Sequence, residues 1–277
     1  MLSSREQWEL LRAYADHQDD EAFARLVAEY IDLVHSAAMR QVRDRQLAED
    51  VCQGVFMLLA NKAGGMGSDV ILPAYLLKAT YFISRNTLRR ETRRRMYERR
   101  AAEVVTRSMP NDIRSNVADV LDEGMSALND RERAAIVLRF FEQRSLAEAG
   151  EVLGVSEDAA AMRVSRALSK MRQFFASRNI RLESAEVGMI LLAVSVRSAP
   201  AGVEGAVVHG SLCGGSDTGL PMGDIIRDAG HEMLCERVKF AAMWSASAAV
   251  IVLATGMLVH LAYMFSRPIA RPPVDVW

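Results

Sequence analysis

Cysteine is nearly absent: Cys52, Cys213 and Cys235 are the only three in 277 residues. They fit no metal-ligand spacing, and any pair leaves an odd thiol, which argues against a disulfide-stapled fold and suits a reducing cytosol. The histidines His17, His35, His209, His231 and His260 are dispersed. None stands at a catalytic or metal-binding spacing from a cysteine or carboxylate. Glycine clusters once, at Gly64-Gly65-Met66-Gly67, but Lys62 precedes it and no Gly-Lys-Ser/Thr follows, so it is not a phosphate loop. The opening Met1-Leu2-Ser3-Ser4-Arg5-Glu6 has no apolar core of signal-peptide length. β-Branched alternation is missing from the first half, which removes the strand signal. These absences predict a chain that is not an enzyme, carries no cofactor and no metal, and keeps its N-terminal part in the cytoplasm.

What is present is helical periodicity. Phe23, Leu26, Val27, Tyr30 and Val34 form one apolar stripe, and Val51, Val55, Leu58 and Leu59 another. The glycine-rich stretch Gly64–Asp69 reads as a loop, followed by a third helix from about Ala74. Ser108–Asn116, containing Pro110-Asn111-Asp112, reads as a linker. Asn129 with Glu132, and Ser145 with Glu148, have the capping-box spacing. Gly154 occupies a helix C-terminal position, and Ser156 opens a helix whose first turn carries Glu157 and Asp158. Two helices joined by a Gly-Val-Ser turn have the sequence form of a helix-turn-helix.

The formal net charge of -1 conceals an uneven distribution. Arg85, Arg89, Arg90, Arg93, Arg94, Arg95, Arg99 and Arg100 crowd the third helix, where only Glu91 and Glu98 oppose them. Such a density cannot face a core, and phosphates would neutralise it. Tyr75, Tyr81 and Phe82 lie beside it, and flat rings can stack on unpaired bases. The stretch from Val117 to Glu132 is acidic, with Asp119, Asp122, Glu123, Asp130 and Glu132 against Arg131. This asymmetry predicts nucleic acid on one surface and a different partner on another. In the last helix of the helix-turn-helix, Arg163, Arg166 and Lys170 share a face that can meet guanine edges or phosphates. Ala159, Ala160 and Ala161 offer only apolar contact to a thymine methyl, so base reading there should be sparse and phosphate contacts dominant.

These residues carry a family resemblance. Ala48-Glu49-Asp50-Val51-Cys52-Gln53-Gly54-Val55-Phe56 resembles the signature helix in the second conserved region of sigma-70 family factors. Tyr75–Arg95 resembles the helix that melts and reads the minus-ten element. Ser145–Arg172, with Leu153-Gly154-Val155-Ser156 and Arg163-Val164-Ser165-Arg166-Ala167, is similar to the fourth region, which reads the minus-thirty-five element. Two such regions joined by a short linker mark the extracytoplasmic-function type. The resemblance implies an all-α fold with region 2 over 1–104, a linker over 105–118 and region 4 over 119–178. It implies binding to core RNA polymerase, at the clamp coiled coil of its largest subunit, through Glu49, Asp50, Gln53 and Met57. Minus-ten contacts would fall to Tyr81, Arg85, Asn86, Arg89, Arg90 and Arg93, and minus-thirty-five contacts to Ala160, Ala161, Arg163, Arg166 and Lys170. The Gly64–Leu72 loop would help capture a flipped minus-ten base. Departures from the family pattern are Gly54, Phe82 and the pair Ala149-Gly150; Asn86 is retained. A membrane-tethered helix-turn-helix regulator that binds no polymerase is the competing reading, and it leaves the Ala48–Phe56 helix without a purpose.

Beyond Glu183 charges thin out, and residues 179–239 read as a low-complexity extension. Phe240–Phe265 contains no Asp, Glu, Lys or Arg. At roughly 1.5 Å per residue it exceeds the roughly 30 Å of a bilayer's hydrocarbon core, which predicts one transmembrane helix followed by a short tail over 266–277. Trp244 and Tyr263 fit interfacial anchoring. The expected location is therefore cytoplasmic domains anchored to the inner membrane, with an anti-sigma factor as a further partner. The tether could also restrict access to polymerase until a signal arrives.

Overall fold

The computed structural model describes residues 2–102, 113–194, 196, 198–213 and 223–233, with side chains for all of these except 95–102, 113–119 and 213. Residues 1–231 form one compact unit and residues 232–277 a second. All regular secondary structure among the described residues is helical, in agreement with the all-α expectation. Most of the linker at 105–118, all of the 240–265 segment and the 266–277 tail lie outside them. Among the described residues, no helix is long and apolar enough to cross a membrane.

The first bundle comprises α1 (Ser4–His17), α2 (Asp20–Val42), α3 (Arg45–Lys62) and α4 (Leu72–Ala102). Sequence periodicity located the last three, although α4 begins two residues earlier than Ala74. The first helix was not anticipated, yet it starts with a complete capping box between Ser3 and Glu6. Its end carries no Gly or Pro signal, because Gln18 makes the turn itself in a left-handed conformation at φ 53°. Tyr14 then packs on Phe23 with ring centroids 4.6 Å apart. The two apolar stripes lie in the core where α2 packs on α3: Phe23, Leu26, Val27, Val34, Val51, Val55 and Leu59 are fully buried. The glycine-rich stretch forms a single 3-10 turn, Ala63–Gly65, before an irregular connection.

The second bundle contains α5 (Ile113–Ala127), α6 (Asp130–Ile136), a π-helical turn (Val137–Phe141), α7 (Leu146–Leu153) and α8 (Glu157–Ser177). Both expected capping boxes are formed, with Glu132 N donating to Asn129 Oδ1 at 2.8 Å and Glu148 N to Ser145 Oγ at 3.2 Å. Gly154 is left-handed at φ 63°, and Ser156 caps α8 through Ala159 N. A Cβ at Gly150 would fall 2.8 Å from the Val155 carbonyl oxygen, so the missing side chain lets α7 pass close under the turn. This close approach offsets the loss of about 1 kcal/mol in helix propensity relative to alanine.

The two bundles are tied by charge. Arg40 of α2 donates to both carboxylate oxygens of Asp122 on α5, at 2.9 and 3.2 Å. Lys78 of α4 meets Asp130 at the start of α6 at 3.2 Å. Arg133, 2 % exposed, also pairs with Asp130 and donates to the carbonyls of Met125, Ser126 and Leu128. Burial alone would push the Asp130 carboxyl up, but the Lys78 and Arg133 charges hold it down at about 2. The acidic stretch thus finds partners within the chain itself.

The extension over 179–239 is more structured than its composition implies. It contains α9 (Ser184–Ala193), α10 (Val203–Cys213) and a helix over 223–233, here α11. α9 rests on α8 and the π turn, burying Val187 and Leu191 while Met189 and Leu192 stay exposed. α10 packs against α3 and α2.

Candidate nucleic-acid interface

α3 starts from an Asp44 cap that accepts from Leu47 N at 2.9 Å. Its apolar side, Val51, Cys52, Val55, Phe56 and Leu59, faces the bundle core. Of the four residues expected to grip a partner, Glu49, Gln53 and Met57 are half-buried and Asp50 is 4 % exposed. Glu49 also pairs with Arg45 at 2.9 Å. The presentation of Asp50 therefore differs from the sequence expectation, which had it available to a partner. Burial, with like charge from Glu49 and Asp44, pushes its carboxyl up to about 6.

α4 displays the arginine face. Arg89, Arg93 and Arg94 are exposed, and Arg94 pairs with Glu91 at 3.2 Å. Arg85 and Tyr81 are half-buried, and Tyr81 packs edge-on against Phe82 at 5.4 Å. Asn86 is 6 % exposed; among the described residues its Nδ2 has no hydrogen-bond partner, and neither do the buried hydroxyls of the neighbouring Ser84 and Thr87. Arg90, one turn beyond Asn86 on the same face, reaches Asp228 at 2.9 Å and Asp224 at 4.0 Å, both on α11. The side chains of Arg95, Arg99 and Arg100 lie outside the described residues.

On α8, Ala160, Val164, Ala167, Met171 and Phe175 form a buried stripe against the rest of the second bundle. Ala160 is fully buried there, which leaves it no surface for a thymine methyl; the expectation for this alanine misjudged which face turns inward. Ala161 and Arg163 are half-buried, whereas Arg166 is exposed. Lys170 is exposed too, but it is tied to Glu132 on α6 at 2.6 Å. Arg166 Nε donates to the Met162 carbonyl at 3.2 Å. Met162 is 61 % exposed one turn before Arg166, and this large apolar side chain escaped the sequence reading. Its signal was the spacing: Met162 lies out of phase with the 160, 164, 167, 171 stripe.

Among the described residues, no group of three or more His, Cys, Asp or Glu could hold a metal ion. The arrangement is a helix-turn-helix, α7 and α8 of the second bundle, beside a first bundle that carries the arginine-lined α4. Residues 124–173 match the family described as Sigma-70, region 4. The chain is also similar to an RNA polymerase sigma factor, CarQ of Myxococcus xanthus, with 27 % identity over 154 residues, covering 55 % of this chain and 88 % of that protein. That likeness extends well beyond the helix-turn-helix. Both findings support a sigma-factor role in transcription initiation.

Proposed function

We propose that this chain is a sigma factor of the extracytoplasmic-function type, which binds core RNA polymerase and directs promoter-specific initiation. The observation that carries the reading is the conjunction of the helix-turn-helix matching Sigma-70, region 4, with a separate bundle presenting arginines on α4. In this reading α3 engages the clamp coiled coil of the polymerase through Glu49, Asp50, Gln53 and Met57. The α4 residues Tyr81, Arg85, Asn86, Arg89, Arg90 and Arg93 hold the melted minus-ten element. The Nδ2 of Asn86, 6 % exposed and without a hydrogen bond among the described residues, supplies a donor for an unpaired base. Arg163, Arg166 and Lys170 hold the minus-thirty-five element, chiefly at phosphates. Melting requires no nucleotide hydrolysis, because its energy comes from captured unstacked bases and phosphates. The protein acts as a binding subunit and not as an enzyme. The charge-free run Phe240–Phe265 supports a single-pass anchor in the cytoplasmic membrane.

Transcription in vitro tests this reading. The purified chain, added to bacterial core polymerase with a fragment library from the source genome, should yield discrete transcripts under nucleotide conditions that supply no separate ATPase. DNA binding with no stimulation of core polymerase would favour the tethered regulator instead.

A further inference from the structure

The extension occupies the surfaces that the proposed function needs. The α10 edge formed by Val203, Val207, Gly210 and Ser211 is buried, at positions i, i+4, i+7 and i+8 of one helix face. That helix packs on α3 and α2. Its contact with α3 falls on Gln53: a Cβ built on Gly210 would lie 2.7 Å from Gln53 Cδ and 3.2 Å from Cγ. The glycine therefore allows close approach to the side chain assigned to polymerase. Ahead of α10, Ala199 N donates to Asp32 Oδ1 of α2 at 2.7 Å, which pins the entry to this helix.

The next helix continues the cover. Ile225, Ile226 and Ala229 of α11 are buried. A Cβ at Gly230 would make ordinary contact with Leu58 Cδ1 of α3 at 3.7 Å. On the same helix Asp224 and Asp228, spaced i and i+4, bracket Arg90 on α4. Two carboxylates one turn apart stand where DNA phosphates would neutralise this arginine.

We propose that residues 199–213 and 223–231 act as a built-in competitor, an internal cover that lies on α3 at Gln53 and substitutes carboxylates for DNA phosphate at Arg90. The partner of this surface is the chain's own extension, and polymerase engages α3 after displacing it. The inference rests on the polymerase-binding reading of α3. It differs from simple tethering because the cover works with no membrane present. α10 contributes shape, an apolar edge with a glycine over Gln53. α11 contributes charge. Two kinds of contact on two elements make the cover separable by mutation.

The test uses the full-length chain with Gly210→Leu, Asp224→Asn/Asp228→Asn and all three changes together. None of these residues belongs to the polymerase or DNA machinery, and asparagine adds no positive charge that would attract DNA by itself. Hydrogen exchange reports whether α3 is uncovered, and titrations against core RNA polymerase and against a labelled single-stranded oligonucleotide report what uncovering does. In Gly210→Leu, exchange of α3 amides should accelerate at least tenfold and affinity for core polymerase rise at least fivefold. In the double asparagine variant, oligonucleotide affinity should rise about threefold. Faster exchange with unchanged polymerase affinity would overturn the proposal, as would unchanged exchange in the triple variant. Absence of polymerase binding by every form, including those with accelerated exchange, would remove the reading of α3 on which the proposal rests.

Discussion

Replacing Asp50 by asparagine removes a charge that the fold holds at a cost. The carboxyl is 4 % exposed and displaced from 3.8 to about 6 by burial, with Glu49 and Asp44 adding repulsion. A folded-state value above the unfolded one means that the native state binds the proton more tightly. The favourable contribution is therefore complete below the unfolded value near pH 4 and disappears as pH rises through about 6. At neutral pH the displacement corresponds to about 3 kcal/mol against the native state, and an imperfectly paired amide gives some of this back. Asp50→Asn should thus match the wild type near pH 4 and exceed it by about 1–3 kcal/mol at pH 7.5. Urea denaturation of both proteins across this range reads the difference directly, and other titrating groups cancel because the two chains share them. A gap independent of pH, or a variant less stable than the wild type at pH 7.5, would refute the burial of this carboxylate. The same substitution should weaken binding to polymerase, because it removes a carboxylate from the helix assigned to that partner. Stability and function would then move in opposite directions.

Arg133→Ala should destabilise the second bundle by about 3–5 kcal/mol in thermal or urea unfolding, since it strands three buried carbonyls and loosens Asp130. A double-mutant cycle of Arg40→Ala and Asp122→Ala should give a coupling of roughly 1–3 kcal/mol, because the bidentate pair is largely buried, with side chains 16 % and 8 % exposed. Gly154→Ala should cost about 1–2 kcal/mol, as alanine must adopt the left-handed φ of 63°. Arg89→Ala with Arg93→Ala should lower DNA affinity without regard to sequence and shrink the salt slope by about 1 for each lost phosphate contact, read by titration at several salt concentrations.

The readable parts of this fold are those encoded within a few residues. The Asn129–Glu132 and Ser145–Glu148 boxes, the Gly154 cap and the Ser156 start all depend on neighbours three or four positions away, and each is formed. The core stripes of α2 and α3 are legible for the same reason, since helical period fixes which residues share a face. Contacts between distant segments leave no such mark: Arg40 and Asp122 stand 82 positions apart, and Arg90 and Asp228 stand 138 apart. The acidic stretch consequently read as a surface for an outside partner, although Asp122 and Asp130 serve the joint between the bundles. Asp50 and Ala160 illustrate the same limit, because each lies on a helix whose type was evident while the covering neighbour was not. α1 went unnoticed because its capping box precedes a helix with a polar outer face and a turn made by Gln18 without glycine.

The most direct measurement is equilibrium association of the full-length protein, and of its Gly210→Leu form, with core RNA polymerase. A saturable one-to-one complex, tighter for Gly210→Leu and weakened at least tenfold by Glu49→Lys with Gln53→Ala, is the predicted result. No complex with either form would contradict the account and leave a helix-turn-helix protein that binds DNA alone.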